Sequence, residues 1–86
     1  MNIYWLDKAW NEYLNWQSAD NKILRKINNL VKDICRNGYQ CTGKPEQLSG
    51  DLAGYWSVRI DKKNRIVFRI VENNVEIIQC GSHYRD

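Results

Sequence analysis

The one histidine of this 86-residue chain, His83, is followed only by Tyr84, Arg85 and Asp86. Chain ends ordinarily fray and carry little, so an imidazole, a phenol and a guanidinium side by side there call for a role. Histidine is the side chain suited to proton transfer in both directions near neutral pH. Upstream stand Glu46, beside Pro45 in a glycine-containing segment, and Arg59 and Arg65 on either side of a hairpin-turn sequence. These are the parts needed to cleave RNA through its 2′-hydroxyl. A base must take the hydroxyl proton so that the oxygen can attack the adjacent phosphorus. An acid must protonate the departing 5′-oxygen, and cations must hold the phosphate oxygens whose charge grows in the transition state. By the usual ordering of carboxylate and imidazole acidities, Glu46 suits the base and His83 the acid. Arg59 and Arg65 suit the clamp, because a guanidinium fork matches a phosphate bidentately. Tyr84 can stack on a base or donate to the phosphate. Each residue also has a plainer reading: Glu46 as a solvated loop carboxylate, His83 as an idle terminal group, the arginines as edge solubilisers, Tyr84 as a core residue. Their joint fit to one reaction is what selects the chemical reading.

Composition narrows the alternatives. Thirteen Lys and Arg against ten Asp and Glu give a formal net charge of +3, and its distribution matters more than its size. Residues 22–36 hold Lys22, Arg25, Lys26, Lys32 and Arg36 against only Asp33, and residues 59–69 hold Arg59, Lys62, Lys63, Arg65 and Arg69 against only Asp61. Two basic runs in so short a chain favour a nucleic-acid partner over two merely solvated faces. Cys35, Cys41 and Cys80 show no C-x-x-C spacing, and with one histidine they make no tetrahedral zinc set. No metal and no cofactor are expected. No signal-like segment or long apolar run is present, so a cytosolic chain with reduced thiols and no membrane span is expected.

The elements that must position these groups follow from periodicity. Eighty-six residues make one domain. Residues 2–6 read as a short strand, with Asp7 at a helix N-cap. Ala9, Trp10, Tyr13, Leu14 and Gln17 follow at helical spacing, and residues 18–20 break that helix and cap the next. Ile23, Ile27, Leu30, Val31 and Ile34 form a clear apolar stripe ended by Asn37-Gly38. Residues 38–54 read as a long loop holding Lys44, Pro45 and Glu46. The rest alternates as strands: Trp56, Val58 and Ile60 on one face with Tyr55, Ser57 and Arg59 on the other, then a turn at 61–64. Ile66, Phe68 and Ile70 point inward with Arg65 and Arg69 outward, and a third strand covers 75–80. The expected fold is α+β, in the order β-α-α-β-β-β, with both helices on one face of a mainly antiparallel twisted sheet and the arginines on the other.

At these residues the sequence resembles the YoeB (Txe) branch of the RelE/ParE superfamily of bacterial toxins. The resemblance covers nearly the whole chain. It is carried by Ile3-Tyr4-Trp5, Trp10, Tyr13-Leu14-Asn15-Trp16-Gln17, Lys26-Ile27-Asn28 and Gly43-Lys44-Pro45-Glu46, then by Leu52-Ala53-Gly54-Tyr55-Trp56-Ser57, Arg59-Ile60, Arg65-Ile66-Val67 and His83-Tyr84. It implies an mRNA endoribonuclease acting in the ribosomal A site, neutralised by a YefM-like antitoxin whose tail covers the active face. Operator DNA would be met only through the antitoxin complex. The resemblance makes Glu46 the general base, His83 the general acid and Arg65 the phosphate clamp, with Arg59 and Tyr84 in support. Lys44, Tyr55 and Arg69 are expected against RNA, and Lys22, Arg25, Lys26, Lys62 and Lys63 against the ribosome. Three features depart from the family pattern: Gln47 where proline is frequent, Val58 where a second basic residue is common, and Arg85-Asp86 beyond the tyrosine. A homodimer is left open.

Two other readings compete. One is a binding module that blocks the A site or serves as co-repressor with its antitoxin; retention of Glu46, Arg65 and His83 favours the enzyme. The other is a general RNA-binding domain, which would array exposed aromatics across its sheet. Only Tyr55 fits that pattern.

Overall fold

The order of elements in the computed structural model, which describes residues 1–81, follows the hydrophobic pattern closely. Strand β1 (Asn2–Trp5) leads into helices α1 (Asp7–Ala19) and α2 (Asn21–Asn37). A two-residue strand β2 (Glu46–Gln47) precedes β3 (Trp56–Arg59), β4 (Arg65–Val71) and β5 (Asn74–Gly81). Helix α2 forms because its apolar stripe has a core to face: Ile27, Leu30, Val31 and Ile34 are all buried. It starts where the Asp20 carboxylate accepts the Lys22 and Ile23 N–H groups. It stops at Gly38, whose φ of 61° suits glycine. Helix α1 begins differently from expectation. Leu6 is its cap residue and makes no side-chain cap bond, while Asp7 is the first helical residue, where a carboxylate still complements the helix dipole.

The five strands lie in the order β1-β5-β4-β3-β2. Strands β2 to β5 pair antiparallel, and β1 runs parallel to β5. The sheet therefore has one strand more than the expected four, and the supposed loop at 38–54 contributes it. On the helix side, Val58, Ile60, Ile66, Phe68, Val75, Ile77 and Cys80 pack against Ala9, Ile27, Leu30, Val31 and Ile34. Burying a side chain of this kind stabilises a fold by about 1.5–3 kcal/mol, which makes this layer the main support of the domain.

The face that carries the arginines is not open throughout. Ser57, Val67 and Gln79, which alternate away from the helices, are buried as well. The middle of that face is a closed floor, with the charged side chains around it.

Candidate active site

Strand register sets the site. On the face away from the helices, Glu46 stands opposite Ser57, Ser57 opposite Val67, and Val67 opposite Gln79. The next row toward the β3–β4 turn is Arg59, Arg65 and Gly81. Directly opposed Cβ atoms in such pairs lie ~4.5–5.5 Å apart, and diagonal ones are within reach of long side chains. Arg59 and Arg65 are thus immediate neighbours, and Glu46 is diagonal to Arg59. Two guanidinium groups directly opposite one another concentrate positive charge, which favours an anion between them. Arg59 is exposed and Arg65 half-buried.

Glu46 is not in a loop. It sits in β2, and the turn before it is pinned at three points. Asp33 of α2 accepts the Thr42 N–H, and that bond, with a second from Asn37, holds its carboxyl below the ordinary range. The Gly43 carbonyl accepts the Arg59 N–H at 2.8 Å. Gly43 itself has φ 90° and lies so close to Leu30 and Val58 that a Cβ there would come within 2.9 and 3.0 Å of them. Lys44 follows at φ 55°, exposed at the edge of the site. These contacts connect the apolar stripe of α2 to the position of one carboxylate. Only the Gly43-Lys44-Pro45 turn signal pointed to them in the sequence; Asp33 had none.

A third row holds Arg69, Glu76 and Tyr4. Arg69 donates to Glu76 at 2.7 Å and lies over the Tyr55 ring, 5.0 Å from its centre. The Glu76 hydrogen bond pushes the Arg69 pKa up. Its charge is therefore matched by a carboxylate, and it buttresses Tyr55, the neighbour expected with it against RNA.

Lys22, Arg25, Lys26, Lys62 and Lys63 are all exposed. Burial raises the Asp61 carboxyl, but hydrogen bonds from Asn64 and Lys63, and the charge of Lys26, bring it down overall. Lys26 of the first basic run therefore lies near the 61–64 turn of the second. Cys80 is buried, and desolvation together with the Glu12 charge pushes its thiol up to about 12, so it is no nucleophile at neutral pH. Among the described residues no group of three or more His, Cys, Asp or Glu side chains is arranged to hold a metal ion. None of the described helices is long and apolar enough to cross a membrane. His83 and Tyr84 lie outside the described residues.

Fold and face together define a small α+β domain with a cationic row flanked by a carboxylate. Residues 5–84 match the family model described as a YoeB-like toxin of bacterial type II toxin–antitoxin systems. The chain is 39% identical to Toxin YoeB of Escherichia coli K12 over 98% of this chain and 100% of that one. Its structure superposes on a YoeB/ParE toxin from Agrobacterium tumefaciens with a TM-score of 0.93 at 41% identity, over 98% of this chain and 100% of the other. A heterotetrameric YoeB–YefM toxin–antitoxin complex from Staphylococcus aureus gives a TM-score of 0.89 at 40% identity, over 98% of each chain. The chain belongs to the YoeB-like toxin family of bacterial type II toxin–antitoxin systems.

Proposed function

We propose that this protein is an endoribonuclease that cleaves mRNA in the ribosomal A site. What carries the reading is the register. Glu46 and Gly81 stand three strands apart, on opposite sides of the Arg59–Arg65 pair, which at ~4.8 Å per strand separates their backbones by about 14 Å. With Glu46 at one end, the width over the arginine pair leaves a gap suited to one phosphodiester. His83 follows Gly81 by two residues, so an acid launched from that end would approach the phosphate opposite to the base. That is the arrangement an in-line displacement requires.

In the reaction, the Glu46 carboxylate takes the 2′-hydroxyl proton and O2′ forms a bond to phosphorus. The P–O5′ bond breaks, and His83 gives its proton to the leaving oxygen. The products are a 2′,3′-cyclic phosphate and a 5′-hydroxyl. Arg65, with Arg59 beside it, holds the non-bridging oxygens as their charge grows. Tyr55, backed by Arg69, offers a face for a base, and Tyr84 a further stacking or donor group. Lys44 and the exposed basic residues Lys22, Arg25, Lys26, Lys62 and Lys63 would meet backbone phosphates of mRNA and ribosomal RNA.

The partner we propose is a YefM-like antitoxin, as in the Staphylococcus aureus complex. Its acidic or aromatic-bearing segment would cover the arginine row, and operator DNA would be met only through that complex. The deciding experiment is single-turnover cleavage of one mRNA with and without programmed ribosomes, followed by end mapping. Cyclic-phosphate ends formed much faster on ribosomes support the reading. Ribosome stalling without new RNA ends would establish a blocking module instead.

A further inference from the structure

We propose that Glu12 and Trp16 are positioning residues for the catalytic end of the chain: together they clamp the backbone of β5 at the point from which residues 82–86 depart. The proposal uses the nuclease reading only for its kinetic consequence.

The observation begins with a missing strand. Strand β1 accompanies β5 only as far as the Trp5–Ile77 pair, followed by one bond from the Leu6 N–H to the Ile77 carbonyl. Beyond Ile77 that edge of β5 has no backbone partner from β1, because the chain turns away into α1. The N–H and C=O of one strand residue point to the same edge, so Cys80 presents both to the side where β1 would have continued. Left unpaired in this buried residue, such groups cost about 1–3 kcal/mol each.

Helix α1 supplies the replacement. The Glu12 carboxylate accepts the Cys80 N–H at 2.8 Å, and the Trp16 indole N–H donates to the Cys80 carbonyl at 3.0 Å. Glu12 and Trp16 are four residues apart and so stand one above the other on a single helix face. They grip both polar groups of one peptide residue, in place of a strand. The next residue, Gly81, closes the device. Its φ is 146°, and a Cβ there would lie 3.3 Å from the Trp16 indole nitrogen. The backbone thus passes against the ring at a distance that only glycine permits without strain.

The reach of the chain gives this clamp its purpose. Gly81 and His83 are two residues apart, which limits their Cα separation to ~7 Å. Fixing Cys80 and Gly81 therefore fixes the origin of that short tether beside Arg65, the strand partner of Gly81. Glu12 and Trp16 touch no substrate in this scheme and act through the tether alone.

The test is a double-mutant cycle. Glu12→Ala with Trp16→Phe should lower the single-turnover rate constant on saturating programmed ribosomes by roughly 10–100-fold, the cost of misplacing a reacting group. The ribosome concentration giving half the maximal rate should stay within about two-fold, since uniform binding is untouched. In a His83→Gln background the same pair should cost less than about three-fold, because the group being positioned is gone. Glu12→Gln, which keeps an acceptor oxygen, should restore most of the rate. Equal losses in both backgrounds, or no loss in either, overturn the proposal. A second arm needs no activity: in the 15N-labelled protein, the His83 backbone and imidazole resonances should shift in the Trp16→Phe variant. Unmoved His83 resonances overturn the clamp even if cleavage is slowed. A wild-type protein that cleaves nothing would count against the nuclease reading, and the resonance arm would still decide the clamp.

Discussion

Replacing Gly43 by alanine should be the most damaging single methyl group that can be added to this protein's turns. Two costs add. At φ 90° an L-residue occupies the left-handed region, which costs about 1–2 kcal/mol. The new Cβ would also lie 2.9 Å from Leu30 Cδ2 and 3.0 Å from Val58 Cβ. Leu30 is buried, and Val58 is wholly so in the sheet, so neither can move aside cheaply, and overpacking of this kind costs about 1–3 kcal/mol. The sum, about 2–5 kcal/mol, is a large share of the roughly 4–13 kcal/mol expected for a domain of this size. In a thermal melt it corresponds to a fall on the order of 20 °C. Gly50→Ala and Gly54→Ala separate the two costs, since both positions have positive φ but nothing within 4 Å of a Cβ. They should lose only the backbone part, about 1–2 kcal/mol. Urea titrations of the three variants measure the difference directly. If Gly43→Ala is no worse than Gly50→Ala, the wedge between α2 and β3 does not hold the turn. The account of how Glu46 is positioned would then be wrong.

Further outcomes follow from the same geometry. Glu46→Gln and His83→Gln should each lower cleavage by ~10²–10⁴-fold, and Arg65→Ala by a comparable factor, with melting temperatures little changed; unaltered toxicity of all three at equal expression would refute the site. Cleavage at a matched magnesium level sufficient to keep ribosomes intact should survive chelation of other metals, because the proposed mechanism assigns every role to a side chain; abolition would refute the mechanism. Reversing the charges of Lys22, Arg25 and Lys26 should slow the ribosomal reaction and leave cleavage of free RNA nearly unchanged, which parallel time courses would show. Asp33 carries a lowered carboxyl pKa in the folded state, so its contribution to stability is present above the unfolded value near ~3.9 and is lost as pH falls through the folded one. The stability gap between wild type and Asp33→Asn, measured by urea titration, should therefore narrow on acidification from about pH 6 to about pH 3; a gap that widens refutes the Asp33–Thr42 assignment.

Local pattern was enough to determine most of the fold. The stripe from Ile23 to Ile34, the alternation of Val58, Ile66 and Phe68 with Arg59, Arg65 and Arg69, and the turn at 61–64 each state their own element, because burying one face requires one period. The adjacency of Arg59 and Arg65 was legible for the same reason: a short turn fixes the register on either side of it. The glutamate and the arginines could likewise be singled out by chemical type. Tertiary structure alone decided where Glu46 stands. A two-residue strand carries no period, so β2 was invisible until Asp33, Leu30 and Val58 pinned the turn before it. It also decided that Ser57, Val67 and Gln79 are buried, and that Arg69 is matched by Glu76, because both depend on residues distant in sequence. Glu12 and Trp16 read as ordinary residues of an amphipathic helix. Only the early departure of β1 from the sheet, which leaves the Cys80 peptide groups without a strand, gave them something to hold.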